Sequence, residues 1–181
     1  MKAIYSATVS TALALFSASL GQAASKSEND SPTAQARTML VQVDSWSASL
    51  ADAADRLSMK AKLKEDPQSQ VEDLDILRND VNRIGRDLRI LEAKQGSLAG
   101  WESSAVSETV PLMREIAMNT EKAIETFQSD RNHLWTTPYS EETTRVFEDA
   151  ERVKELLDGH LKLAAIREQE QRIEGALEGN R

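Results

Sequence analysis

The chain of 181 residues contains no cysteine. Disulfide bonds, thiol nucleophiles and covalent haem attachment are therefore excluded. Lipid attachment through a cysteine at a signal cleavage site is excluded for the same reason. The buried core alone must hold the fold together, and the chain is long enough for one domain with such a core.

Glycine and histidine are scarce, with seven glycines and two histidines in the whole sequence. The glycines are scattered, so they form no phosphate-binding or dinucleotide-binding loop. Only His133 and His160 could act as an imidazole base, and neither lies in a nucleophile-elbow or oxyanion-forming motif. The sequence therefore predicts a protein that is not an enzyme.

Basic residues are outnumbered, with 22 Lys and Arg against 30 Asp and Glu and a net charge of −8. Nucleic acids and anionic membrane surfaces are bound through basic patches. We therefore expect neither of them as a partner.

Apart from the N-terminus, the sequence has no run apolar enough to span a bilayer. Lys2 precedes an uncharged run over residues 3–20, and residues 21–23 give the small-x-small pattern that signal peptidases cut. We predict a signal peptide over residues 1–23 and a periplasmic or secreted protein without stable membrane insertion. A membrane anchor is the alternative, but the run is short for a span of roughly 20 residues and contains several Ser and Thr.

The remaining chain is predicted as a polar, flexible leader over residues 24–30, a helical bundle over 31–174 and a frayed tail over 175–181. Three helix starts are visible, at Ser31-Pro32, at Asp66-Pro67 and at Ser140 with Glu141 and Glu142 behind it. Each supplies an N-capping side chain, followed by proline or by acidic residues in the first turn.

Apolar residues then recur at steps of three and four, which is the spacing of one helix face. The first helix is predicted to run to about Lys64, and its inward residues are Ala36, Met39, Val43, Trp46, Leu50, Ala53 and Leu57. The second has a heptad seam typical of coiled coils, made of Leu74, Leu77, Val81, Ile84, Leu88 and Leu91. Its charged residues are predicted to form a solvated surface: Arg78, Asp80, Arg83, Arg86, Asp87 and Arg89.

Gly96 and Gly100 predict a reversal of direction after the second helix. The third helix contains Pro111, so we expect either a kink near residues 107–111 or two separate helices. The fourth is predicted from Ser140 to about Arg172, with an inward face of Phe147, Ala150, Val153, Leu157, Leu161 and Ala164.

No sustained period-two alternation and no hairpin turn pair indicates a strand. Short connections between long helices favour antiparallel neighbours. The predicted fold is an all-α, elongated, antiparallel up-down-up-down four-helix bundle whose third helix is kinked or broken near Pro111. The heptad seam is equally compatible with pairing between chains, so a homo-oligomer is an alternative to a monomer.

Two cofactor hypotheses are alternatives to simple packing of the same residues. A b-type haem carrier would use Met39 on the first helix and His160 on the fourth as iron ligands. A carboxylate metal bundle would need two Glu-x-x-His motifs, whereas the chain offers only Asp130-x-x-His133. A methionine on an apolar stripe usually packs, and a lone half-motif beside a loop is usually solvated. We therefore predict no cofactor and keep both as alternatives.

The segment between the third and fourth helices is least explained by bundle packing. It brings His133, Leu134, Trp135 and Tyr139 close together in the sequence. These residues either form a partner contact or cap the end of the bundle. The motifs point to no particular family, and we predict a non-enzymatic protein-interaction or structural module of the cell envelope, with an unidentified envelope protein as its partner.

Overall fold

The computed structural model describes residues 32–135 and 137–178, which form four long helices joined by short linkers. Helix α1 spans Pro32–Lys62, α2 Val71–Ala93, α3 Gly100–Ser129 and α4 Thr137–Glu178. Short 3-10 helices occupy the linkers at Pro67–Gln70, Gln95–Ser97 and Arg131–His133. The described residues contain no strand. The predicted all-α four-helix bundle is confirmed.

Side-chain contacts between the helices fit the antiparallel arrangement. Arg37 near the start of α1 is hydrogen-bonded to Glu168 near the end of α4. At the opposite end, the hydroxyls of Ser58 and Thr144 lie 2.9 Å apart. Helix α4 packs extensively against α1 and α3, and α2 packs more closely against α1 than against α3. The helices therefore form a ring in which the contact between α2 and α3 is the loosest.

Several predicted segments lie outside the described residues. These are the signal peptide over residues 1–23, the leader over 24–30 and the last three residues of the tail. Among the helices that are described, none combines the length and the hydrophobicity that a bilayer span requires.

The helix starts are confirmed in part. Asp66 caps the turn before α2, since its carboxylate accepts a hydrogen bond from the Gln68 N–H at 3.0 Å. The predicted start at Ser140 is wrong, because α4 begins at Thr137 and includes Pro138 in its first turn. Proline is tolerated there because the first N–H groups of a helix have no intrahelical acceptor. Helix α4 also continues to Glu178, past the predicted end.

Helix α3 runs through Pro111 without interruption. The alternative of two separate helices is therefore wrong, and a bend of the helix axis stays a prediction. Pro111 lies on the exposed side of α3, where solvent can reach the Ser107 carbonyl that proline leaves without a helical donor.

The seam of α2 is rotated toward α1 relative to the prediction. Asp80, predicted to be solvated, is buried, whereas Val81 on the seam is only half-buried. Asp73 lies seven residues earlier on the same face and binds Arg56 and Lys60 of α1. Because seven residues are almost two full turns, Asp80 also faces α1. The close contact with α1 buries Asp73 and Asp80 and leaves Val81 beside the loosely packed α3.

Most of the predicted inward residues of α1 and α4 are buried. Met39, Trp46, Phe147 and Leu161 are the exceptions and are half-buried. Other residues outside the predicted inward faces of α1 and α4 are also buried, such as Leu40, Ser47, Ala51, Ala54 and Val146. The buried face is therefore wider than one seam, because α1 contacts two neighbouring helices along its length.

Several carboxyl groups are partly or wholly buried in this bundle. Burial raises the pKa of Glu102, Asp44, Glu142 and Asp149. For Glu102, the N–H of Ala99 and the charge of Arg37 oppose this effect without cancelling it. A raised pKa means that the folded state holds the proton more tightly than the unfolded chain does.

We therefore expect the bundle to be most stable in mild acid. The contribution of these groups to the free energy of unfolding is largest below their unfolded pKa, near pH 4, and is lost as the pH rises through the raised folded pKa. Thermal unfolding followed by circular dichroism should show a melting temperature a few degrees higher near pH 5 than near pH 7.5.

The variant Glu102→Gln separates burial of the carboxylate from the general acidity of the chain. Its amide oxygen can still accept from the Ala99 N–H, but it carries no charge at neutral pH. We expect the variant to have a flatter pH dependence, and the exposed Glu121→Gln to keep that of the parent chain. A melting temperature that rises from pH 5 to pH 7.5 in the parent would contradict the expectation.

Candidate partner-binding surfaces

The two predicted haem ligands lie on α1 and α4, two helices that pack against each other. Met39 is two residues beyond Arg37, and His160 is eight residues before Glu168, the partner of Arg37. With antiparallel helices and a rise of 1.5 Å per residue, their backbones are offset by about 9 Å along the bundle. The His160 Nε2 lies 3.6 Å from the Glu108 carboxylate of α3 instead. Ligation of one haem iron by Met39 and His160 stays a prediction.

The half-motif for a metal forms a local pair beside the linker. The His133 Nδ1 lies 2.7 Å from the Asp130 carboxylate, and both side chains are more than half exposed. Among the described residues, no group of three or more acidic or histidine side chains is placed to hold a metal ion. Asp130 and His133 are thus arranged as a solvated pair.

The predicted contact segment divides into buried and exposed residues. Leu134 and Tyr139 are buried, and the Tyr139 ring packs 6.4 Å from that of Phe127. His133 and Trp135 are exposed and meet edge to face with ring centroids 5.4 Å apart. Leu134 and Tyr139 therefore anchor the linker to the core. This matches the predicted alternative in which the segment caps the end of the bundle.

The neighbouring linker between α1 and α2 completes this bundle end. Lys64 follows α1 in the left-handed region with a φ of 56°, and its Nζ lies 5.4 Å from the centre of the Trp135 ring. A cavity of about 190 Å³ lies between the two linkers. Gln70 at its wall is fully buried, and neither atom of its amide has a hydrogen-bond partner among the described residues.

A larger feature runs along the outside of the bundle between α2 and α3. Three cavities of about 170, 430 and 400 Å³ follow one another there. Adjacent cavities share lining residues, Arg78 and Ile124 between the first two and Val81 and Ala117 between the last two. They therefore form one continuous depression, which we call the α2–α3 groove, and it extends for about 30 Å at the rise of an α-helix.

The groove has an apolar floor and a charged rim. Its floor is made of Val71, Leu74, Val81, Gly85, Leu88, Val110, Met113, Ala117, Ile124 and Phe127. Its rim carries both signs of charge, and Arg114 lies 3.7 Å from Glu92 across one end. This combination suits a partner that buries an apolar face and carries mixed charges at its edges.

Small residues and the rotation of α2 create the groove. Gly85 lies within α2, and a Cβ atom placed on it would have no neighbour within 4 Å. Glycine within a helix lowers stability by roughly 1 kcal/mol relative to alanine. Gly85 therefore costs α2 stability while it leaves the floor of the groove open. Apolar periodicity alone does not predict this surface, although an isolated glycine inside a regular heptad pattern is a signal for it.

Comparisons with protein-family models, with curated proteins and with solved structures give no match.

Proposed function

We propose that this protein is a non-enzymatic interaction module of the cell envelope that binds an amphipathic helix of a partner protein in the α2–α3 groove. The observation that carries the proposal is the continuous groove itself, with its apolar floor and mixed-charge rim. The envelope location rests on the signal-like pattern of residues 1–23.

Helix recognition in grooves supports this assignment. An amphipathic helix buries residues at positions i, i+3, i+4 and i+7 in an apolar groove and leaves its polar face in water. Such a helix needs a floor several turns long, and about 30 Å corresponds to roughly 20 residues of helix. Gly85 and Ala117 keep the floor low at the middle of the groove, so a helix backbone can approach closely.

The test is site-specific photo-cross-linking in cells that express the chain. A photoreactive amino acid is placed at Asn82, an exposed residue that lines the groove. The matched position is Asp52, an exposed residue on α1. We expect an adduct from position 82 and none from position 52, and mass spectrometry of the adduct should identify an amphipathic helical segment of another protein.

A second pair of variants shows whether the groove itself is occupied. Gly85→Leu fills the floor, whereas Gly159→Leu adds the same side chain to α4, where the added Cβ also has free space. Both replace a helix glycine with a good helix former, so neither should destabilise the bundle. The adduct should be lost in Gly85→Leu and kept in Gly159→Leu. Loss in both variants, or equal adducts from positions 82 and 52, would overturn the proposal.

A further inference from the structure

The cavity between the α1–α2 and α3–α4 linkers, which we call the linker cavity, is large enough for a small molecule. Its volume is about 190 Å³, and Ala61, Pro67, Leu134 and Trp135 give it apolar walls. A cavity of about 150 Å³ holds benzene, so the linker cavity suits a ligand of about eight non-hydrogen atoms.

Gln70 lines the linker cavity with a side chain that packing alone does not require. The side chain is fully buried, and neither atom of its amide has a hydrogen-bond partner among the described residues. A glutamine amide has two N–H donors and an acceptor oxygen, and burying them unpaired is unfavourable, whereas leucine would fill a similar volume without polar atoms. The terminal torsion of glutamine is soft, so the amide can turn toward the cavity and bond to a ligand there.

The end of α1 places Lys64 in the wall of the same cavity. The Glu65 N–H donates to the Lys60 carbonyl at 3.0 Å and the Lys64 N–H to the Ala61 carbonyl at 3.1 Å, which is a Schellman motif. The position of Lys64 in this motif requires left-handed backbone and is usually glycine, because a side chain disfavours that conformation. Lys64 adopts it with a φ of 56°. Lysine is therefore less favourable than glycine for the stability of this turn.

Lys64 also brings an unpaired positive charge to the linker cavity. Its Nζ lies 5.4 Å from the centre of the Trp135 ring and forms no ion pair with a carboxylate among the described residues. Arg131, a second cation in the lining, has no carboxylate partner among them either. The two acidic lining residues, by contrast, accept hydrogen bonds from residues of the Pro67–Gln70 turn. The groups left open for a ligand are thus cationic, and the cavity favours an anion.

Gln70 and Lys64 are both unfavourable for local stability, and both line one cavity. Strained or unpaired groups of this kind cluster at functional sites. We propose that the linker cavity binds a small carboxylate that carries a primary amide at its other end. The carboxylate pairs with Lys64, and the apolar middle of the ligand lies against Trp135. The amide bonds to Gln70, since each amide presents a donor and an acceptor side by side.

Isothermal titration calorimetry of the full chain with succinamate tests the proposal, because this probe matches the cavity in size and carries one carboxylate and one primary amide. The controls are succinamide, which lacks the charge, and butanoate, which lacks the amide. We expect one succinamate per chain with a dissociation constant of about 1 mM or below, and at least about tenfold weaker binding of each control. No saturable binding of succinamate, or equal affinities for the three compounds, would overturn the proposal.

Two variants separate binding from stability. Lys64→Gly removes the cation and relieves the left-handed backbone, and Gln70→Leu removes the unpaired amide and keeps a side chain of similar volume. Each should weaken succinamate binding at least about tenfold, while its melting temperature equals that of the parent or rises. The control Lys94→Gly removes an exposed lysine after α2, at the opposite end of the bundle, and should bind succinamate as the parent does.

Nuclear magnetic resonance of the isotope-labelled chain locates the contact directly, since succinamate should shift the signals of the Gln70 side-chain amide. Gln70 signals that do not move at saturation would contradict the assignment of the site. An affinity that is unchanged in either variant, or that is lost only together with a lower melting temperature, would contradict it as well.

Discussion

Replacement of Asp73 by alanine is expected to lower the free energy of unfolding by about 2–3 kcal/mol. The side chain is only 5% exposed and accepts hydrogen bonds from two cations of α1. The Arg56 Nε lies 2.8 Å from one carboxylate oxygen, and the Lys60 Nζ lies 2.8 Å from the other. Removing the carboxylate leaves two positive charges facing each other at the junction of α1 and α2.

The matched control for this prediction is Asp75→Ala, two residues further along α2. Asp75 also forms an ion pair, with Arg78 at 2.9 Å, but both side chains are more than half exposed. Exposed pairs contribute little, so Asp75→Ala should change the free energy of unfolding by less than about 0.5 kcal/mol. Urea unfolding of both variants measures the difference. Equal effects would show that burial does not strengthen the Asp73 contacts.

The order and the number of the helices could be predicted from sequence because local rules set them. Asp66-Pro67 supplies a capping carboxylate and a proline, and the turn before α2 begins there. The start of α4 could not be placed as well. Ser140 with two acidic residues behind it looks like a start, yet Thr137 and Pro138 are already helical. Several positions satisfy the same local capping preferences, so local sequence rules do not single out the first helical residue.

The rotation of each helix about its own axis could not be predicted from its apolar seam. Periodicity gives the direction of the apolar face, but the relative closeness of two neighbours decides which edge of that face is covered. On α2, the closer contact with α1 buries Asp80 and leaves Val81 half-exposed to the α2–α3 groove. The contact segment is likewise predicted from residues that the bundle pattern leaves unexplained, and that pattern cannot separate the buried Tyr139 from the exposed Trp135.

Truncation of Tyr139 is expected to be the most disruptive single change in the linker region. Its side chain is fully buried beside Phe127, so Tyr139→Ala should lower the free energy of unfolding by about 4 kcal/mol through lost packing and the cavity left behind. The same position offers a more informative change. The Tyr139 hydroxyl is buried without a hydrogen-bond partner among the described residues.

Tyr139→Phe should therefore leave the bundle at least as stable as the parent, with a gain of about 1 kcal/mol. It removes an unpaired buried polar group and keeps the ring. Burial, followed by the nearby charges of Asp73 and Glu142, raises the pKa of this hydroxyl, so it stays neutral throughout the folded range of pH. Urea unfolding of the two variants against the parent measures both effects. A loss of stability in Tyr139→Phe would mean that the hydroxyl forms a hydrogen bond. Tyr139 would then stabilise the bundle through that bond as well as through packing of its ring.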